Sequence, residues 1–183
     1  MTKVIAGYTT SIDGFVADEQ GGVERLYPDL ADLQDKPYMQ ALIADTGAVV
    51  MGRHTFQMGD PDTYADGYEF QVPIFIVTHH PPAHHPKENG RISYTFVTDG
   101  VEPAVRMARA AAKSRNVMVV GGANLVRQLF AANLVDELHV DVMPVLLGSG
   151  LRFWGAGLEH LRLETIDVSR TGERTALKYR VIR

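Results

Sequence analysis

The chain has 183 residues, no cysteine, 22 acidic against 18 basic side chains and a formal net charge of −4. Disulfides, thiol catalysis and thiolate metal sites are therefore excluded, and redox chemistry would have to come from a bound cofactor. No basic run marks a nucleic-acid partner, no run of 18 apolar residues marks a membrane span, and MTKVIAGYTT has no leader-like pattern, so the expectation is one cytoplasmic domain over 1–183.

Lys3 to Tyr8 reads as a short buried strand, broken after Thr9 by the turn pair Asp13-Gly14, with a loop from Asp18 to Gly22. Leu30, Leu33, Met39, Leu42 and Ile43 recur at helical spacing between Asp29 and Asp45, and Pro37 divides that segment in two. A buried strand at Ala48 to Met51 leads into a short helix from Arg53, and the Asp-, Gly- and Pro-rich Gly59 to Tyr68 reads as loop. Strands follow at Pro73 to Thr78 and near Tyr94 to Val97, separated by a loop with four histidines.

Asp99 and Glu102 stand at capping-box spacing ahead of an apolar face formed by Val101, Ala104, Val105, Ala108, Ala111 and Ala112, which predicts a helix to about Ser114. Val117 to Val120 predicts a buried strand, and Leu125, Val126, Leu129 and Phe130 the core stripe of the next helix. From Glu137 the period becomes two, with Leu138, Val140 and Val142 on one face and His139 and Asp141 on the other. Leu161 to Val168 and Arg174 to Ile182, joined at Thr171-Gly172, predict a closing antiparallel hairpin. These elements imply an α/β three-layer sandwich around a mixed central sheet, parallel in its middle and antiparallel at its C-terminal edge.

Two segments carry chemistry: VVMGRHTF at Val49 to Phe56 and VMVVGGANLVRQLF at Val117 to Phe130. Each is an apolar strand that stops at glycine where a helix can begin. Glycine lets a ligand approach the backbone, and a helix start offers unpaired N–H donors and a positive dipole end, so each is a phosphate cradle. Two cradles suggest a dinucleotide.

With VTHHP and the terminal hairpin, these segments resemble the dihydrofolate reductase fold. SIDGFVA and GGANLVRQLFAANLVDELHVDVMPVLLGSGLRFW more closely resemble the branch containing the reductase domain of the bifunctional riboflavin-biosynthesis deaminase/reductase. The resemblance implies an NADPH-dependent reductase of a small heterocycle, carbonyl or imine. It implies that Gly52, Arg53, His54 and Thr55 face the cofactor, with Arg53 toward the adenosine 2′-phosphate. Val77, Thr78 and His79 would lie near the adenosine, with His80 as a further candidate. Gly121, Gly122, Ala123, Asn124 and Leu125 would cradle the pyrophosphate, across a cis Gly121–Gly122 bond. Ala6, Gly7, Ile12 and Gly14 would line the nicotinamide. Homodimerisation is also expected, Leu138 to Leu147 being unusually apolar.

The substrate half is less well marked. No acid on the first helix registers on the pterin-binding carboxylate of dihydrofolate reductases, so folate reduction is not expected; a true dihydrofolate reductase and a non-catalytic nucleotide-binding protein are the alternatives. Asp13 and Asp32 are the candidate proton donors, and Asp13 reads equally as the turn partner of Gly14. His79, His80, His84 and His85 read as a solvated loop rather than a metal site. Phe153 and Trp154 read as an anchor on the core.

Overall fold

The computed structural model describes residues 2–155 and 157–183. Among the described residues there are ten strands: β1 Val4–Ser11, β2 Phe15–Ala17, β3 Thr46–Gly52, β4 Ile74–Val77, β5 Tyr94–Val97, β6 Asn116–Val119, β7 Glu137–Met143, β8 Leu151–Arg152, β9 Arg162–Thr171 and β10 Arg174–Ile182. Eight of them form one sheet in the order β5-β4-β3-β6-β1-β7-β10-β9, while β2 and β8 pair separately. Pairing is parallel from β5 to β7 and antiparallel across β7, β10 and β9, which is the predicted mixed sheet with its closing hairpin.

The helices are α1 Leu30–Leu33, α2 Pro37–Asp45, α3 Arg53–Phe56, α4 Tyr64–Gly67, α5 Val101–Ala112 and α6 Ala123–Ala131. No helix among the described residues is long and apolar enough to cross a membrane. Two apolar cores lie on opposite faces of the sheet. Val4 and Ala6 of β1 face the core shared with α5 and α6, whereas Ile5 faces the core shared with α2, α3 and α4. Central strands covered on both faces read as unbroken apolar runs, which is why β3 and β6 stand out in the sequence.

The alanines of α5 let it lie close to the sheet. At the far end of that helix a Cβ on Gly47 would come within 2.6 Å of the Ala112 carbonyl oxygen, so only glycine fits there.

Three local readings are corrected. β1 runs on to Ser11 because its second half pairs with β7 up to Ser11 opposite Met143, a partner remote in sequence. The segment Gly59 to Tyr68 contains a 3-10 turn at Pro61–Thr63 and α4; Tyr64 stacks on Phe56 and meets Tyr68 edge-on at 4.8 Å. The capping box does not form, because Gly100, at φ 101°, occupies the N-cap of α5 and no side chain caps it.

The register sets the level of everything that follows. Ala6 pairs with Val119, Val119 with Val50 and Val50 with Phe75. Two residues further along each chain, Tyr8, Gly121, Gly52 and Val77 therefore line up across the C-terminal end of the sheet.

Candidate functional site

At that end, β3, β4, β5 and β6 release their chains into the starts of α3, α5 and α6 and the histidine loop. Ligands of open α/β sheets bind in this crevice, outside the carboxyl ends of parallel strands. A cavity of about 260 Å³ lies here, lined by Gly52, Arg53, His54, Thr55, Val77, Thr78, His79, His80, Thr98, Gly100, Gly122, Asn124, Leu125 and Gln128. Ten of the residues expected at the cofactor are thus gathered around one opening.

Backbone builds most of this wall. The Gly52 N–H donates to the Gly121 carbonyl at 3.0 Å, tying the two strand-to-helix turns together. The Gly121–Gly122 peptide bond is cis, as the resemblance implies. A Cβ on Gly121 would sit 2.9 Å from Thr55 Oγ1 at a φ of 128°, so that position demands glycine for the fold itself. Gly122 is different: its φ is −82°, and an added Cβ would lie 3.5 Å from the nearest neighbour, Thr55 Oγ1. The fold would accept a side chain there, and the cradle would lose its floor.

The N-caps of α3, α5 and α6 are Gly52, Gly100 and Gly122, and none has a side-chain cap bond. Their first N–H groups thus have no side-chain cap, and helix starts of this kind favour negative charge. The lining contains one arginine and three histidines and no carboxylate. Arg53 is exposed and makes no salt bridge among the described residues. The remaining loop histidines are engaged elsewhere, His85 with Glu88 at 3.0 Å and His84 near Asp62 at 3.8 Å.

Six expected cofactor residues do not line this cavity: Ala6, Gly7, Ile12, Gly14, Gly121 and Ala123. Ala6 is fully buried in the α5–α6 core, Ala123 is buried under the start of α6, and Gly121 lies behind Gly122. Gly14 sits in the turn between β1 and β2, beside Trp154 and Arg152. Sequence reasoning passed over Thr98, Gly100 and Gln128. Thr98 and Gly100 were obscured by the capping-box reading of their neighbour Asp99. Gln128 lies one helical turn beyond Asn124, a spacing that could have found it.

The two candidate proton donors lie apart from the cavity. The Asp13 carboxylate accepts the Leu147 and Gly148 N–H groups at 3.1 and 2.7 Å, pinning the loop after β7. The Ser11 hydroxyl and these N–H groups hold its carboxyl down to about 2, so it is ionised and occupied at neutral pH. Asp32 is exposed on α1. Phe153 is buried against Tyr8 with ring centroids 4.2 Å apart, and Trp154 covers it from outside.

A polar cluster absent from the sequence reading occupies the α2 face of β1, β7 and β10. Arg174 is fully buried and pairs with Asp29, next to the Thr9 hydroxyl and 5.3 Å from the Tyr27 ring centre. Its Nε has no hydrogen-bond partner among the described residues. Beside it the Tyr38 hydroxyl donates to Asp141 at 3.0 Å. Burial pushes the Asp141 carboxyl up, partly offset by that hydrogen bond and by Arg174 and Lys178. The signal was present: the alternation of β7 places Asp141 on a face that α2 covers.

A profile of the RibD C-terminal domain matches residues 2–177. The chain belongs to that family. It is 24% identical over 177 residues to the uncharacterized protein YwjB of Bacillus subtilis, covering 97% of each chain. The fold is similar to that of a candidate riboflavin biosynthesis protein from Shewanella sp. PV-4, at TM-score 0.79 and 20% identity with both chains fully covered. It is also similar to the Thermotoga maritima diaminohydroxyphosphoribosylaminopyrimidine deaminase/5-amino-6-(5-phosphoribosylamino)uracil reductase, at TM-score 0.71 and 14% identity over 99% of this chain and 57% of that one. Enterococcus faecalis dihydrofolate reductase, solved with NADP(H), aligns at TM-score 0.58 and 14% identity over 98% and 96% of the two chains. The dihydrofolate-reductase-like fold expected from the sequence is therefore present.

Proposed function

We propose that the protein is an NADPH-dependent reductase of the riboflavin-pathway type, acting on a small heterocycle with a reducible imine or carbonyl bond. The observation that carries this reading is the carboxylate-free cavity where three uncapped helix starts meet an unpaired Arg53. Gly122, Asn124 and Leu125 would hold the pyrophosphate through backbone N–H groups, backed by Gly121 and Ala123. Arg53 would take the 2′-phosphate, helped by His79 or His80. Gly52, His54, Thr55, Val77 and Thr78 would enclose the adenosine half. Ala6 and Gly14 could meet the nicotinamide half through backbone alone, since the Ala6 side chain is fully buried. Bound NADPH would supply the hydride; the residues named align it and exclude water.

The resemblance to NADP(H)-using reductases and membership of the RibD C-terminal domain family support the same reading. The test is a titration with NADPH and NADH in parallel, followed by turnover of 5-amino-6-(5-phosphoribosylamino)uracil. Tight, 2′-phosphate-dependent binding with NADPH oxidation is the expected result; failure of NADPH to bind would end the proposal.

We further propose a homodimer. Core packing explains Leu138 and Val140, but Leu146 and Val168 are both 61% exposed, and Leu151 is 48% exposed. Light scattering at micromolar concentration should give twice the 20.2 kDa chain mass; a monomer mass would refute the dimer.

A further inference from the structure

The cavity spans the ends of β3 to β6, so an extended ligand seated on Gly122 has its other half over the next strands, β1 and β7. There the register continues: Tyr8 pairs with Val140 and Thr9 with Asp141, one step beyond the level of Gly121. Tyr8 points into the α5–α6 core, and Thr9 and Asp141 point to the α2 face. At about 4.8 Å between neighbouring strands, Asp141 on β7 lies roughly two strand spacings from the cradle on β6.

We propose that Asp141, held by the Tyr38 hydroxyl, is the proton donor of the reduction, and that the substrate ring lies against Asp141 at the ends of β1 and β7, beside the cradle. The proposal rests on the reductase reading above and supplies the acid that it lacks. Hydride arrives with its electron pair at the carbon of a C=N or C=O bond, forming a C–H bond as the π bond opens onto nitrogen or oxygen. That atom takes the proton of the Asp141 carboxyl, whose O–H bond breaks to leave a carboxylate. The Tyr38 O–H bond and the positive charges of Arg174 and Lys178 stabilise the carboxylate until water returns the proton.

The other acids nearby fit this role less well. Asp13 is tied to two N–H groups and Asp29 is paired with Arg174. Glu137 holds Lys3 at 2.6 Å and His139 at 3.1 Å. Asp141 combines partial exposure with a single hydrogen-bonded neighbour. The groups facing it are Tyr38 from α2, Arg174 and Lys178 from β10, and Asp29 and Tyr27 from the segment before α1. Burial keeps the carboxyl protonated to higher pH than an ordinary aspartate, as a donor requires.

Carboxyl ¹³C NMR of the aspartate-labelled protein, with the Asp141 signal assigned by its loss in Asp141→Asn, tests this without turnover. The expected result is a titration above the ordinary aspartate range, displaced upward in Tyr38→Phe, and a shift of the signal when 5,6-diaminouracil is added. In single-turnover reduction of 5-amino-6-(5-phosphoribosylamino)uracil, Asp141→Asn should slow hydride transfer about a hundredfold or more, the usual range for a lost general acid. NADPH affinity should stay within about twofold. A signal indifferent to 5,6-diaminouracil, or an unchanged rate in Asp141→Asn, overturns the proposal. Failure of the wild-type protein to bind NADPH overturns the reductase reading instead, and the NMR measurement still decides whether Asp141 meets the ring.

Discussion

The two ends of the candidate site are built from different materials. The cavity side is made of backbone: glycines, strand ends and helix starts, with Arg53 as its one fixed charge. The β1–β7–β10 side is made of side chains, with a buried guanidinium, two carboxyl-bearing neighbours, Asp29 and Asp141, and Tyr38 bonded to the second. A backbone surface recognises what most nucleotides share and tolerates sequence drift around its glycines. A side-chain surface can change what it recognises with one substitution.

The sharpest break is at the cradle. Gly122→Val should abolish NADPH binding while leaving the melting temperature nearly unchanged, because its Cβ meets only Thr55 at ordinary contact distance. Gly121→Ala should instead destabilise the chain, since φ there is 128°. Nucleotide titration and thermal melts of both variants separate the two roles; similar behaviour would dissolve the distinction.

On the other side, Asp29→Ala leaves Arg174 buried without its counter-charge and should cost about 3–5 kcal/mol of stability, the range for a broken buried pair. Urea unfolding measures it, and a loss no larger than a surface pair's would show that the cluster is better hydrated than its burial indicates. Arg53→Ala should weaken NADPH by roughly 1.5–3 kcal/mol and leave NADH nearly unchanged, as for one charged hydrogen bond. Equal losses for both nucleotides would remove the 2′-phosphate from Arg53.

The smallest effect concerns Asp13. Its folded carboxyl titrates near 2, below the ordinary 3.8, so its contribution is present above pH 4 and fades as pH falls toward 2. Acid unfolding of wild type and Asp13→Asn should differ above pH 4 and converge near 2; curves separated by the same amount throughout would mean that the loop tie does not depend on charge.

The same contrast governs how much the sequence revealed. Glycines at strand-to-helix turns and apolar runs covered on both faces are local signals, so the cavity wall and the central sheet could be read residue by residue. The Arg174–Asp29 pair joins positions 145 residues apart, and nothing near either residue marks it. The second half of β1 was missed for the same reason, as its partner strand lies far along the chain. Asp99 shows the opposite failure, a correct local pattern overruled because Gly100 turns the chain first.

Gly47 ties the cavity to a distant part of the molecule. It allows the last turn of α5 to press against the root of β3, while the first residue of that helix follows Gly100 in the cavity wall. Twelve residues of helix at 1.5 Å each make a rod about 18 Å long. A methyl group added at Gly47 would push on one end of this rod, and packed helices transmit displacement rather than absorb it. A displacement there would reach the rim of the cavity from the opposite end of β3.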